Sequence, residues 1–459
     1  MTPFLFCVHL HYYRAPTLSI LAPICPIFID PSSHASDKKA YDALRNVLQY
    51  STRHKKYKLL WEKCFGEIVD IRWMWYIFDM RKLIHHTLFA LICISTSLIL
   101  SACSITDIDT KFNTSALSLD PEVFNAAVFY YDYEDTYISS VRSKLNKLLV
   151  NAGMNYNEFD ANSSQATQNS QIESAISAGV DLLIVNIVDS GSVNSSDIIC
   201  LRARRAGIPV IFFNRPIEGV GDEGVILKYY DSIAFIGSDP EESGHLQGQM
   251  IGEYLVNNFD SCDLNGDGHI SYALMKGEAK NSEAIYRTKY SVEDANTILN
   301  DNGYPELVYF DEDSVDKFQL DLTGKWSLNA GQDYMMSDLG HYNDANDNMI
   351  ELVICNNDSM AEGCIRSLQT VGYNLPENKN KNIPVFGVDA TASARKLISE
   401  GSMTGTIVQD PDEMANCILL IAQNIQNSVD LLTGTEIYPH DTKDGLDNSI
   451  YIPCRIYDH

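Results

Sequence analysis

The sequence predicts an α/β fold in which two lobes each contain a parallel sheet flanked by helices. After about residue 121, short apolar runs rich in β-branched and aromatic residues alternate with longer stretches of helical pattern. This alternation is typical of a parallel sheet with helices on both faces. About a dozen such elements exceed one sheet of ordinary size, so the chain of 459 residues is expected to form two lobes.

Each predicted element follows from its local composition. The strands are short, apolar and bounded by turn residues, and they fall at 126–131, 182–188, 210–213, 270–275, 352–355, 385–388 and 405–408. The helices are longer and lie between most of these strands, at 138–150, 168–178, 197–206, 242–257, 282–300, 360–370 and 392–400.

Charge is unevenly distributed along the chain. Of 34 basic and 61 acidic residues in all, residues 1–102 hold 12 and 7, which leaves the remainder with 22 and 54 and a net charge of −32. An acidic body of this size repels nucleic acid and anionic lipid headgroups, so neither is an expected partner. The apolar fraction of 45% is ordinary, so the acidic part is able to bury a core.

The segment 80–102 has the features of an export signal. It begins with basic residues at 80–82, continues through a mostly apolar stretch at 83–100 and ends in small residues. Its end, Leu100-Ser101-Ala102-Cys103, resembles the lipobox of bacterial lipoproteins, in which the cysteine becomes the lipidated first residue. A transmembrane anchor is the alternative, but the uninterrupted apolar part, 88–94, is short for a span.

Two flanking segments follow from this interpretation. A signal peptide starts a protein, so residues 1–79 are hypothesised to be an over-extended reading frame, with a cytoplasmic extension as the alternative. Residues 103–120 are polar and are predicted to tether the folded part to the outer face of the membrane.

Short polar side chains follow most of the predicted strands. Asp135, Asn214, Asn357, Asp389 and Gln409 all lie at or just after a strand end. In open α/β sheets, ligands bind outside the carboxyl ends of the strands, and amides and carboxylates hydrogen-bond hydroxyl groups. Each such residue alone is more readily explained as a helix cap or a turn residue, but together they favour a site for a polyol.

Six segments resemble a known family, the galactose/glucose-binding proteins of bacterial sugar transport and chemotaxis. They are YEDTY at 133–137, VIFFN at 210–214, DLNGDG at 263–268, MKGE at 275–278, VICNND at 353–358 and IPVFGVDA at 383–390. The resemblance runs in unbroken order from about residue 124 to 454. It implies the periplasmic-binding-protein type I fold, in which two Rossmann-like lobes are joined by a three-strand hinge.

The resemblance also implies domain boundaries. The N-terminal lobe would comprise 121–236 and 411–451, and the C-terminal lobe 237–409 and 453–459. The hinge crossings would fall near 237–239, 409–411 and 452–454.

The family's sugar site carries over to ten positions. In this resemblance Asp135 accepts hydrogen bonds from sugar hydroxyls, and Tyr137 and Trp326 sandwich the ring, whose C–H faces suit aromatic planes. The remaining contacts would come from Asn214, Asn281, Glu283, Arg287, Asn357, Asp389 and Gln409.

Four of these positions depart from the family pattern. The family usually has Phe where this chain has Tyr137, and it has His at Asn281, Asp at Glu283 and Asn at Gln409. The last three substitutions keep hydrogen-bonding ability but change its reach, so the preferred sugar stays open within the class.

A calcium loop is indicated by residues 263–271. Asp263, Asn265 and Asp267 occupy ligand positions one, three and five of an EF-hand loop. Gly268 stands at position six, where glycine is required, and the backbone carbonyl of His269 would be the ligand at position seven. Position twelve lacks the usual glutamate. The resemblance supplies Glu351 instead and adds Ser271 as a ligand where the family has Gln. An acidic surface turn without metal is the alternative.

The function implied is that of an extracytoplasmic lipoprotein that binds D-galactose or D-glucose and delivers it to the permease of an ABC transporter. A sensor that presents its closed form to a chemoreceptor or a sensor kinase is the alternative, because the fold and site would be the same. A sugar-responsive repressor shares the fold, but it needs a basic helix-turn-helix where this chain has a signal peptide.

Enzymatic activity is not expected. The five histidines after residue 102 are scattered, and the chain has no hydrolase, zinc-protease or phosphate-loop motif. A glycosidase acid pair drawn from Asp135, Glu283 and Asp389 is the remaining enzyme hypothesis.

Residues 219–224 fit the dinucleotide-binding pattern G-x-G-x-x-G, but they contain two carboxylates and do not join a strand to a helix, so a plain loop is predicted. No disulfide pairing follows from the cysteine spacing, and Cys355 is predicted to be a small buried residue.

Overall fold

Two sheets of seven strands, each mainly parallel, organise the residues that the computed structural model describes, namely 123–346, 348–378 and 381–457. The first sheet has the order β12-β13-β5-β4-β3-β1-β2. Its strands are β1 (Asn125–Tyr130), β2 (Asn155–Asp160), β3 (Leu182–Val185), β4 (Val210–Phe213), β5 (Ile233–Gly237), β12 (His440–Asp441) and β13 (Leu446–Tyr451).

The second sheet has the order β14-β11-β10-β9-β6-β7, with β8 also paired to β6. Its strands are β6 (Ser271–Lys276), β7 (Val308–Tyr309), β8 (Gln319–Leu320), β9 (Leu352–Cys355), β10 (Val385–Asp389), β11 (Gly405–Val408) and β14 (Arg455–Ile456). Only the pairs β12–β13 and β11–β14 are antiparallel among the described strands.

Helices cover both faces of each sheet. The first lobe contains α1 (Thr136–Asn151), α2 (Gln165–Ala178), α3 (Val193–Ala206) and α9 (Pro411–Gln426). The second contains α4 (Glu242–Cys262), α5 (Ser282–Asp301), α6 (Leu328–Leu339), α7 (Asp358–Thr370) and α8 (Ala392–Glu400). Short 3₁₀ turns lie at Asp344–Asn346 and Thr435–Ile437. The predicted fold class, two α/β lobes with parallel sheets, is confirmed.

Apolar burial follows from the parallel arrangement. Strands covered on both faces bury every residue, as in β3, β4 and β9, and each face of each sheet has its own apolar cluster with the adjoining helices. The helix starts are fixed locally, because Ser, Thr, Asn or Asp caps most of them, as Ser164 does for α2 and Asp410 for α9.

The chain passes three times between the sheets. It leaves the first sheet after β5, returns after β11 to add α9 to α1, and leaves again between β13 and β14. The connecting residues are 238–241, 409–410 and 452–454. Three close-lying connections permit the lobes to rotate about one line, the arrangement of a hinge.

Some elements differ from the predicted ones. Strand β3 ends at Val185, three residues early, because the Asn186 side chain turns inward and bonds Phe213 O at 3.0 Å. Strand β2 is polar and half-buried throughout, so it lacked the apolar run that identifies a strand. Residues 219–224 form turns, as predicted, and the Glu223 carboxylate bonds the backbone of that loop.

The export signal, the tether and Cys103 lie outside the described residues. No helix among residues 123–346, 348–378 and 381–457 is both long and apolar enough to cross a membrane.

Helices α4 and α5 pack unusually closely through a line of glycines. Gly244, Gly248 and Gly252 recur every four residues on the face of α4 that meets α5. A Cβ at Gly244 would lie 2.6 Å from the backbone oxygen of Tyr286, and one at Gly248 would overlap the backbone of Tyr290. Because backbone atoms cannot give way as side chains do, only glycine fits this contact.

Gly248→Ala is therefore expected to destabilise the protein, by about 1–3 kcal/mol, although alanine favours helices. Urea unfolding of the purified protein measures this. Glu253→Ala, on the exposed side of the same helix, is the matched control and should change stability little. Equal stability of Gly248→Ala and the wild type would contradict the close contact.

Candidate ligand-binding site

A cavity lies between the lobes, at the carboxyl ends of strands from both sheets. This is where open α/β sheets bind ligands. The structure places all ten predicted sugar-site residues around it: Asp135, Tyr137, Asn214, Asn281, Glu283, Arg287, Trp326, Asn357, Asp389 and Gln409. Tyr131 and Arg215 also line it, and the sequence argument had missed both.

Asp135 connects the cavity to the start of α1. One carboxylate oxygen accepts the amide of Ile138 at 2.8 Å, and the other accepts the Tyr131 hydroxyl at 2.6 Å. Burial raises the pKa of Asp135, and the two hydrogen bonds oppose that effect. Asp135 is thus both a helix cap and a cavity residue, so the two interpretations of the polar strand ends are compatible.

Arg215 joins the lobes beside the cavity. Its guanidinium donates to the backbone oxygen of Ile187 at 2.7 Å and pairs with Glu278 of the second lobe at 2.8 Å. It also lies over the Tyr131 ring, 4.1 Å from the centroid. The sequence signal for a role of Arg215 was its position directly after Asn214. Its partner Glu278 is 63 residues away, so the ion pair itself was not visible in the sequence.

Other contacts cross the cleft. Asn281 donates to Ser190 Oγ at 2.9 Å, and its own side-chain oxygen caps α5. Lys325 of the second lobe pairs with Asp132 of the first at 2.9 Å. The lobes therefore touch on both sides of the cavity.

Arg287 is the largest fully buried side chain among the described residues. It donates to Ser243 Oγ and to the backbone oxygen of Asn356, each at 3.0 Å. Its Nη2 lies 3.4 Å from Glu283 Oε1, close enough for attraction but without hydrogen-bond geometry. Burial raises the pKa of Glu283, and Arg287 opposes that effect.

Trp326 and Tyr137 bring aromatic rings to the cavity wall from opposite lobes, in addition to Tyr131. Trp326 is 6% exposed and rests against Gly277, where a Cβ would overlap the indole ring. Asn357 holds the Trp326 backbone by donating to its carbonyl at 3.1 Å. Tyr137, also 6% exposed, comes from α1 of the opposite lobe. Aromatic planes from opposite lobes suit a flat, weakly polar ligand face.

The hinge side of the cavity is built by Asp389 and Gln409. Gln409 donates to the Asp389 carboxylate at 3.0 Å and accepts from Ser238 Oγ at 3.2 Å. Burial raises the pKa of Asp389 well above its usual value of 3.8, and the adjacent carboxyl of Asp358 adds to the effect, against Arg287.

Three of the eight non-glycine residues with positive φ in the described part of the chain line the cavity. Asn214, Trp326 and Asp389 have φ of 59°, 55° and 119°. Such values are costly for side chains larger than glycine, and they persist where the surrounding structure determines them.

The lining residues suit binding better than catalysis. They offer carboxylate and amide acceptors, amide and guanidinium donors and aromatic faces, the groups that hold a neutral polyhydroxyl ligand. None of the twelve is Ser, Cys, His or Lys.

The predicted calcium loop lies at the opposite end of the second sheet. Its backbone amides surround Asp263, which accepts from Gly268 at 2.9 Å. The Glu351 carboxylate reaches the loop from the start of β9 and accepts the amides of Leu264 and Ser271 at 2.6 and 2.9 Å. In the described part of the chain no three or more His, Cys, Asp or Glu side chains are gathered closely enough to hold a metal.

Six cysteines lie in the described residues, and all are buried and unpaired: Cys200, Cys262, Cys355, Cys364, Cys417 and Cys454. Cys355 is a buried strand residue, as predicted, with its sulfur 3.9 Å from that of Cys364.

Comparisons with known proteins agree with this architecture. Residues 126–428 match the family model of the periplasmic binding protein domain. The D-galactose/methyl-galactoside binding periplasmic protein of Haemophilus influenzae is 32% identical over 312 residues, which cover 67% of this chain and 83% of that protein. The ribose import binding protein of Escherichia coli is 23% identical over 310 residues, 67% of this chain and 85% of its own.

Solved structures share the fold. A solute-binding protein of an ABC transporter from Clostridium phytofermentans, with bound β-D-glucose, superposes with a TM-score of 0.56 at 21% identity, covering 73% of this chain and 94% of its own. One from Bacillus halodurans, with bound myo-inositol, gives a TM-score of 0.53 at 24% identity, covering 72% and 93%.

The chain belongs to the periplasmic binding protein family. It is accordingly an extracytoplasmic solute-binding protein and not an enzyme, as the sequence predicted.

Asp389→Asn should stabilise the ligand-free protein at neutral pH. A carboxyl whose folded pKa is raised binds its proton more tightly when folded, so it destabilises the folded state progressively as pH rises above the unfolded value of about 3.9. The amide removes this penalty and keeps an acceptor for Gln409. The gain should therefore be absent near pH 3 and clear at pH 7.5 in urea unfolding.

Asp260→Asn on the exposed face of α4 is the control and should show no such pH dependence. A gain of equal size at both pH values, or a loss at pH 7.5, would contradict the buried-charge argument.

Proposed function

We propose that this protein captures a monosaccharide of the galactose or glucose type between its lobes and delivers it to the permease of an ABC transporter. The cavity carries the proposal, because hydrogen-bonding side chains from both lobes surround it together with three aromatic rings. The galactoside-binding relative and the glucose-bound structure support the choice of sugar class.

Binding would couple to closure of the lobes. Asp135 and Tyr137 belong to the first lobe, and Arg287, Trp326 and Asp389 to the second, so a ligand contacts all of them only when the lobes meet. A ligand that gains contacts on closure shifts the population toward the closed form. The Arg215–Glu278 pair would add attraction across the cleft in that form. The closed pair of lobes is the surface that we propose the transporter recognises.

We further propose that Cys103 carries a lipid after removal of residues 80–102, which would hold the protein at the outer face of the membrane. The support is the lipobox-like sequence and the extracytoplasmic family. Mass spectrometry of the N-terminus of the mature protein tests this directly.

We also propose that calcium binds the 263–271 loop. The donors would be Asp263, Asn265, Asp267, Ser271 and Glu351 with the backbone carbonyl of His269, an all-oxygen set of the kind this ion prefers, which the ion would have to draw closer together. None of the three carboxylates forms an ion pair with a described lysine or arginine, so a cation would compensate their charge. The ion would stabilise the loop and the strand starts, one strand length from the cavity.

Galactose or glucose should raise the melting temperature of the protein, whereas nucleotides, amino acids and inorganic anions should not. At a ligand concentration of about 100 times Kd the stabilisation is about 2.7 kcal/mol, readily seen in a thermal-shift assay. Trp326→Ala should weaken binding by about 1.5–3 kcal/mol, roughly ten- to a hundredfold, because it removes one buried ring.

Tyr229→Ala, at a ring 65% exposed on the first lobe, is the matched control and should bind sugar normally. Silence toward every hexose and pentose in folded protein would overturn the sugar assignment.

Asp267→Ala should abolish the rise in melting temperature that calcium produces, because it removes one anionic ligand. Sugar affinity measured by calorimetry in the cold should persist, since the loop is remote from the cavity. Asp260→Ala, an exposed acid just before the loop, should respond to calcium like the wild type. An unchanged calcium response of Asp267→Ala would rule out this loop as the site.

A further inference from the structure

The hydroxyl of Tyr137 is a buried polar group without a partner. It has no hydrogen bond among the described residues, although the side chain is only 6% exposed. A buried hydroxyl left unbonded costs about 1–3 kcal/mol, so such groups normally have a partner. The ring lines the cavity, and the missing partner is therefore expected to enter with the ligand.

Several charged groups lie near enough to the hydroxyl to act on it. The charged groups that act on it are Asp389 and Glu283 of the second lobe and Asp410 at the hinge, with the thiol of Cys454. Burial and these neighbours raise the pKa of Tyr137 well above its usual range, so the hydroxyl stays protonated and able to donate.

Some polar side chains near Tyr137 already have hydrogen-bond partners, whereas others keep an unbonded polar atom. Asn281 uses both ends of its amide, on Ser190 and on the amide of Ala284. By contrast, Glu283 Oε1 and Arg287 Nη2 lack a hydrogen-bond partner among the described residues. Beside the other polar atoms of the lining residues, these three side chains thus offer one acceptor, one donor and one hydroxyl that can act as either.

We propose that the Tyr137 hydroxyl is a specificity-determining contact that recognises one oxygen of the bound sugar. The proposal rests on the sugar-binding function proposed above and adds a polar contact to a position where the resembling family has Phe, which offers stacking alone. An aromatic ring stacked on a pyranose holds its para substituent outside the mean plane of the sugar. The hydroxyl is therefore suited to an axial or exocyclic oxygen rather than to an equatorial one.

Calorimetry with the tightest-binding hexose and its 2-, 3-, 4- and 6-deoxy analogues tests this in the wild type, Tyr137→Phe and Tyr130→Phe. Tyr130→Phe is a matched control, because its hydroxyl is also buried and unbonded but belongs to β1 and does not line the cavity. Tyr137→Phe should bind the parent hexose about five- to tenfold more weakly. For one deoxy analogue the wild type and Tyr137→Phe should bind equally, which identifies the recognised oxygen.

Tyr137→Phe that binds the hexose as tightly as the wild type, or that is weakened equally for every analogue, would overturn the proposal and leave sugar binding intact. A similar loss in Tyr130→Phe would also overturn it, since a general effect on the first lobe would then explain the change. If the wild type bound none of these sugars, both the sugar assignment and this proposal would be wrong. The two failures are distinguishable, because failure of the sugar assignment is seen in the wild type and failure of this proposal only in the comparison of the variants.

Discussion

The buried guanidinium of Arg287 is the interaction on which the ligand site depends. It bonds Ser243 at the start of α4 and the backbone after β9, and it faces Glu283 on its own helix. Asp135, Glu283 and Asp389 all border the same cavity, and each of these carboxyls has a raised pKa because it is buried. Arg287 opposes the rise in pKa at Glu283 and Asp389, while Arg215 opposes it at Asp135 and Glu283. Without these fixed positive charges the carboxyls would repel one another more strongly. Arg287, together with Arg215, thus permits a cavity rich in acceptors to exist before any ligand arrives.

Much of the architecture follows from local sequence, and the exceptions have physical causes. The strands that carry Asn214, Asn357 and Asp389 are short apolar runs buried on both faces, and that pattern is visible in one sequence. Strand β2 was not predicted, because an edge strand with half-buried polar side chains has no apolar run to identify it.

The binding site likewise contains residues that the sequence predicts and residues that only the fold brings together. Its ten predicted residues came from a resemblance to a family, and the structure gathers them around one cavity. Arg215 was missed because its role depends on Glu278 in the other lobe, a contact that no local pattern encodes. Tyr131 was missed because its ring packs under Arg215, which is distant in sequence. The 263–271 loop shows the reverse case: its motif is plain in the sequence, while the approach of Glu351 appears only in the fold.

The glycine line on α4 has a consequence for how such a binding site diversifies. Gly244 and Gly248 face the backbone of α5, while Gly252 faces the side chain of Ile298, so at the first two positions backbone meets backbone. The frame that positions Arg287 and Glu283 cannot widen or narrow by gradual exchange of residues at this contact. New ligand preferences in descendants of this protein must then arise by replacing the side chains that reach the cavity, on a scaffold whose spacing is inherited unchanged.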